Sequence, residues 1–187
     1  DNSLPTPQNS YGIQKFMGEQ LVADCTRKGF VQGRNVRLMT VSVRPGKPNA
    51  AASSFLSGMV REPLAGQRAV CPVPPDTKVA LSSPARTVEG LVRALEASDA
   101  DWGPRTALNL PAVATTAGEM AAALARVAGD DVAARIDWVP DAAITRIIAS
   151  WPAAMNARRA ARLGLQADAS YDDIIRDHLR ENPAGAA

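Results

Sequence analysis

The stretch that most constrains this chain is Asn35-Val36-Arg37-Leu38-Met39-Thr40-Val41-Ser42-Val43-Arg44, followed at once by Pro45-Gly46. Its β-branched and apolar residues predict a single strand, and the Pro-Gly pair ends it sharply. Ahead of it, Ile13, Phe16, Met17, Gln20, Leu21 and Ala23 recur at helical spacing, with Ser10 placed to cap the helix and Gly29 to stop it. Helix, short loop, buried strand and turn in that order belong to an α/β layer.

The rest of the chain alternates in the same way. Residues 1–10 carry two prolines and small polar residues and read as a loop. The segment from Lys47 to Pro84 is irregular, with a helix expected over 53–61, a Pro-rich run Cys71-Pro72-Val73-Pro74-Pro75, and a short strand over 78–81. Thr87 to Glu96 has helical spacing, and a short strand over 105–110 ends at Pro111. Thr116 caps a helix that Gly129 stops, and residues 136–139 form a strand candidate. The remainder reads as helical, broken at Trp151-Pro152 and Gly164, with the last helix over 170–180.

Charge and composition remove several function classes. Lys and Arg number 21 against 19 Asp and Glu, so a net charge of +2 points to no nucleic-acid and no membrane partner. Arg158, Arg159 and Arg162 read as a solvated helix face. No apolar run reaches the ~18 residues of a membrane span. The N-terminal Asp1-Asn2-Ser3-Leu4-Pro5 shows no signal peptide, and a start without Met fits a chain that was cut or only partly observed. Cys25, Cys71 and the single histidine, His178, are too few for a disulfide framework or a metal site, and a reduced, cytoplasmic protein is expected. Trp102, Trp138 and Trp151 are expected to fill core or interface positions, and His178 is given no role.

The residues that carry chemistry are Tyr11 and Lys15. Four apart on a helix, they share one face. A phenol with a pKa of about 10 is a poor base at neutral pH, and a nearby ammonium favours the phenolate. Such a pair takes a proton from an alcohol while a hydride leaves the same carbon. The spacing alone is common on helices, and its surroundings give it meaning.

Pro5-Thr6-Pro7, Ser10-Tyr11-Gly12, Lys15 and Glu19 together resemble the active-site helix of the extended short-chain dehydrogenases, the NAD-dependent epimerase/dehydratase family. Val36 to Val43 and Arg44-Pro45-Gly46 resemble that family's sixth strand and the turn closing over the nicotinamide. Ser83-Pro84 leading into Thr87-Val88-Glu89-Gly90-Leu91 resembles a helix flanking its nucleotide-binding sheet. Arg44-Pro45-Gly46-Lys47-Pro48-Asn49, Arg61-Glu62-Pro63-Leu64-Ala65-Gly66, Leu108-Asn109-Leu110-Pro111, Ser150-Trp151-Pro152 and Ala160-Ala161-Arg162-Leu163-Gly164 resemble a subgroup acting on a small sugar acid.

The resemblance implies an α/β chain that holds the C-terminal part of a Rossmann-type doubly wound sheet plus a smaller mixed α/β substrate-capping domain. Residues 1–46 would end the NAD-binding domain, 47–85 enter the substrate domain, 86–112 return to the sheet, and 113–187 complete the substrate domain. It implies NAD as cofactor, with Tyr11 and Lys15 catalytic and, with Pro45 and Gly46, against the cofactor. Tyr11, Arg44, Lys47 and Asn49 would meet a sugar-acid substrate, although Arg44 also suits a structural ion pair. The glycine-rich turn that receives the pyrophosphate has no counterpart: Gly29 and Gly33 follow a helix, and Gly58 and Gly66 stand apart. A missing N-terminal half is therefore expected, and this portion alone is expected to be inactive. The choice of NAD over NADP and the oligomeric state, a homodimer included, stay open. A nucleotide-sugar epimerase or dehydratase and a non-catalytic NAD-binding regulator are the alternatives, and Phe55 as the only aromatic residue of 47–85 favours a small substrate.

Overall fold

A computed structural model describes residues 4–46 and 51–183. In chain order its elements are α1 (Ser10–Arg27), β1 (Val36–Arg37), β2 (Thr40–Val41), α2 (Phe55–Leu64), β3 (Ala69–Cys71), β4 (Lys78–Ser82) and α3 (Pro84–Glu96). There follow α4 (Asp99–Trp102), β5 (Leu108–Asn109), β6 (Val113–Thr116), α5 (Ala117–Ala128) and α6 (Asp130–Ala133). The chain ends in β7 (Ile136–Trp138), α7 (Ala142–Ala149), α8 (Arg158–Arg162) and α9 (Tyr171–Glu181). No helix among the described residues is long and apolar enough to cross a membrane.

The elements gather into two units. The first takes residues 1–38, 87–111 and 156–166. Its strands β1 and β5 pair in parallel, Val36 opposite Leu108, and the Leu108 N–H donates to Asn35 O at 2.8 Å. Ala94, Trp102, Leu108, Leu110, Ala160 and Leu165 make its core. Gly90 on α3 faces Leu110 so closely that an added Cβ would stand 2.5 Å from Leu110 Cδ1, so glycine sets how near helix and strand approach.

Residues 156–166, expected from sequence in the C-terminal substrate segment, join this first unit because Ala160 and Leu165 are buried in its core. Arg159 departs from the expectation of three solvated arginines. Its guanidinium lies 5.8 Å from the Trp102 ring centroid and donates to the carbonyls of Trp102, Pro104, Thr106 and Ala107. Burial draws the Arg159 pKa below its usual value. Arg34 approaches the same indole, 5.3 Å from its centroid.

The second unit takes residues 39–86, 112–155 and 167–187. Strand β4 lies between β2, parallel to it, and β6, antiparallel, while β3 and β7 form a separate parallel pair. Its core runs through Val43, Leu56, Met59, Val79, Leu81, Met120, Leu124, Ile148 and Ile174. Thr116 caps α5 by accepting from the Glu119 N–H at 3.1 Å, and Gly129 ends it at φ 95°, as the residue types predict.

The single strand expected over 36–43 is two short pieces. Val36–Arg37 pairs with β5 and Thr40–Val41 with β4, so each half is drawn to a different partner. Strand β3 falls in the segment expected to be irregular and runs straight into Pro72, yet Ala69, Val70 and Cys71 find ladder partners in β7. Trp102 is buried, Trp151 packs beside the second core, and Trp138 is 37% exposed.

Candidate functional site

Asn9, not Ser10, caps α1. Its extended backbone, φ −149° and ψ 163°, lets Oδ1 accept from the Gly12 N–H at 2.8 Å, and Ser10 becomes the first helical residue. Tyr11 therefore stands in the first turn, 70% exposed. Lys15, one turn on, places Nζ 5.4 Å from the centroid of the Tyr11 ring. Among the described residues Lys15 makes no ion pair, so its ammonium is free to serve a second oxygen besides the phenol.

Polar bonds rather than burial tether α1, since none of its residues is fully buried. Glu19, a further turn along, accepts from Arg37 Nε at 2.8 Å and Nη2 at 2.6 Å. The Glu19 hydrogen bonds hold the Arg37 guanidinium above its ordinary pKa. Asn35 Nδ2 donates to the Glu19 carbonyl at 3.1 Å. Gly33 passes where a Cβ would lie 2.4 Å from Val22 Cγ1, and its N–H donates to Thr26 Oγ1 at 3.0 Å. In the sequence Glu19 stands out only as part of the family's helix. Its partner, 18 positions on in a strand, leaves no local signal.

Arg44, Pro45 and Gly46 belong to the second unit. The Arg44 N–H donates to Ser57 Oγ at 3.0 Å and its carbonyl accepts from Arg61 Nη1 at 2.8 Å, which fixes the turn's entry. The ion pair that Arg44 suits is not made: among the described residues its guanidinium has no carboxylate partner. Pro45 and Gly46 are exposed, and Gly46 holds φ 98°, a left-handed conformation that favours glycine. Lys47 and Asn49 lie outside the described residues.

The second unit also contains a cavity of about 390 Å³ lined by Ala52, Phe55, Gly58, Glu62, Val70 and Ile144, among others. Glu62 Oε1 accepts from Arg61 Nη2 at 2.6 Å, while Oε2 is buried without a hydrogen-bond partner. A buried carboxylate of this kind has no signature in the sequence. Chemically, the first unit offers a phenol and an ammonium side by side on a helix, and the second an exposed Pro-Gly turn and a cavity whose lining is mostly apolar but includes Glu62 and Arg68.

No family model matches the chain. It is 51% identical over 181 residues to a D-erythronate dehydrogenase of Cupriavidus necator, covering 97% of this chain and 56% of that protein. It is 40% identical over 179 residues to a D-erythronate dehydrogenase of Haemophilus influenzae, covering 96% and 57%. The chain thus spans about half the length of the curated relatives it matches. Among solved structures, a nucleoside-diphosphate-sugar epimerase of Agrobacterium tumefaciens superposes with a TM-score of 0.92 at 41% identity, over 97% of this chain and 53% of that one. An L-threonine 3-dehydrogenase of Trypanosoma brucei superposes at 0.85 with 24% identity, over 98% and 56%, a likeness of fold alone. The α/β architecture is that of the C-terminal portion of Rossmann-type epimerases and dehydrogenases.

Proposed function

We propose that this chain, which belongs by sequence and fold with the extended short-chain dehydrogenases, carries the proton-transfer pair of an NAD-dependent dehydrogenase that oxidises a four-carbon sugar acid, D-erythronate or a close analogue, at its second carbon. The observation that carries this reading is the Lys15 ammonium over the ring of an exposed Tyr11, in a chain 51% identical to a D-erythronate dehydrogenase.

The donor set fits the nicotinamide end of the cofactor. Tyr11 offers a hydroxyl, and Lys15 an ammonium with no carboxylate partner among the described residues, groups that suit a ribose hydroxyl; the backbone at Pro45 and Gly46 is exposed, which supports its place against the nicotinamide ring. NAD, when bound, supplies the hydride acceptor. The Tyr11 phenolic oxygen would then receive the proton of the substrate hydroxyl, and the Lys15 ammonium would donate to the ribose. Arg44, Lys47 and Asn49 are assigned to the acid and hydroxyl groups of the substrate.

The pyrophosphate cradle is assigned to the additional sequence that the curated relatives carry. Val88, Leu91, Val92 and Leu95 on α3 are exposed apolar side chains that support the packing of such a region. Ile13, Met17 and Leu21, exposed on α1, support a homodimer. Two free cysteines support a reducing, cytoplasmic setting.

The epimerase reading draws on the Agrobacterium structure at 41% identity. Against it stands the cavity of the second unit. Phe55 is the one ring among the residues lining it, so a nucleotide base would find a single stacking partner there. The test is NADH formation by the full-length protein across a panel of sugar acids and nucleotide sugars. Turnover of four-carbon acids is expected; turnover of nucleotide sugars alone assigns the chain to the epimerases.

A further inference from the structure

Residues 11, 15 and 19 follow one another at four-residue steps, so Tyr11, Lys15 and Glu19 lie along one face of α1. By spacing, Lys15 therefore has two possible partners one turn away: an aromatic ring on one side and a carboxylate on the other. A carboxylate is the stronger partner for an ammonium, the more so when little water surrounds it, and the Glu19 side chain is only 16% exposed. Yet Lys15 lies over Tyr11, and Glu19 is engaged elsewhere, one oxygen bonded to Arg37 Nε at 2.8 Å and the other to Nη2 at 2.6 Å.

We propose that Arg37 is a positioning residue: its two-pronged grip occupies both oxygens of Glu19 and so keeps Lys15 on Tyr11. This rests on the assignment of Tyr11 and Lys15 as the proton-transfer pair. Arg37 is suited to the task because a guanidinium presents two parallel N–H groups to one carboxylate, which an ammonium does not. It is held in place by the sheet, since its own carbonyl accepts from the Leu110 N–H at 3.0 Å in the β1–β5 pairing. Arg37 thus acts on the reaction through Glu19 and Lys15 without touching substrate.

The idea separates from simple bracing of the helix by the direction of a rescue. Arg37→Met releases Glu19, which then draws the ammonium off the phenol. Turnover falls about tenfold or more with KM little changed, since proton transfer rather than binding is impaired. Glu19→Gln removes the competitor, so its loss of turnover is several-fold smaller than that of R37M. The double variant R37M/E19Q recovers most of what R37M loses. A brace behaves otherwise, because all three variants break it equally.

The experiment measures kcat and KM for these three variants and for Tyr11→Phe in the full-length protein, together with lysine side-chain NMR. In the parent, the Lys15 methylene next to the ammonium is expected to show the ring-current shift of Tyr11, because Nζ lies 5.4 Å from the ring centroid. That shift is expected to vanish in R37M and to return in R37M/E19Q. If R37M does not fold, Arg37→Lys replaces it, keeping the charge without the fork. Equal losses in E19Q, R37M and the double variant overturn the proposal, as does an R37M protein with parent turnover and an unmoved Lys15 signal. Full turnover in Tyr11→Phe overturns the proton-transfer reading instead; the Lys15 signal in R37M then decides by itself whether Arg37 holds Lys15 in place.

Discussion

The hydroxyls of Ser42 and Tyr171 meet 2.9 Å apart in the core of the second unit, 129 positions apart along the chain. Ser42 Oγ also donates to the Leu56 carbonyl at 2.9 Å. One contact thus joins the segment after β2, the first turn of α2 and the first residue of α9. Burial pushes the Tyr171 phenol far above its ordinary pKa, with the Ser42 hydrogen bond opposing the shift.

Stability is therefore expected to fall at alkaline pH through Tyr171. The unfolded chain releases the phenolic proton near pH ~10, while the folded chain keeps it. Above that pH the unfolded state binds fewer protons, so unfolding becomes easier as pH rises. Denaturant melts of the parent should lose stability steadily above pH ~10. Tyr171→Phe should cost about 1 kcal/mol at neutral pH for the lost hydrogen bond and show a flatter alkaline limb. Parallel limbs in the two proteins would remove Tyr171 as the cause.

Tyr11→Phe keeps the ring beneath Lys15 and removes the proton acceptor. On the proposed function, a loss of roughly a hundredfold or more in kcat is expected for the full-length protein, the usual scale for a general base. Tyr11 is 70% exposed, so the melting temperature should hardly move. Activity within threefold of the parent, by the same NADH assay, sinks the assignment.

Gly90→Ala sets two effects against each other. Alanine gains about 1 kcal/mol of helix propensity in the interior of α3. Its Cβ, however, would stand 2.5 Å from Leu110 Cδ1 and 2.9 Å from Cδ2, and overpacking of this kind costs about 1–3 kcal/mol. The clash should win, giving a net loss in denaturant melts; a stabilised variant would show that Leu110 yields freely.

Residues 1–187 alone should not bind NAD measurably. The role proposed for Tyr11 and Lys15 concerns only the nicotinamide end, and no glycine-rich turn in the sequence offers amides to the pyrophosphate. The same chain should associate with rising concentration, because α3 presents Val88, Leu91, Val92 and Leu95 to solvent. Calorimetry showing micromolar NAD affinity, or light scattering showing a monomer at all concentrations, would contradict one or the other expectation.

Elements with a local cause are legible in the sequence. The helix from Thr116 to Gly129 announces itself at both ends, and the final helix begins at the cap Ser170, whose Oγ accepts from the Asp173 N–H at 3.2 Å. Tyr11 and Lys15 are legible too, because their four-residue spacing places them on one helical face before any tertiary contact forms. The resemblance of the surrounding residues is what suggests their chemistry, since the four-residue spacing alone is common on helices.

What needs the folded chain is the choice among distant partners. Nothing in the run from Val36 to Val43 says that its first half pairs with Leu108 and its second with Leu81. A strand's hydrogen bonds depend on which backbone lies beside it. Arg159 reads as solvated until the carbonyls around Trp102 collect about it, and Arg44 suits an ion pair in the sequence but has no carboxylate partner among the described residues. Glu19 shows the same division on a single helix. Sequence alone sets it four residues from Lys15, and only the sheet that carries Arg37 decides which cation it takes, because partner choice between charges depends on distance and burial rather than on spacing along the chain.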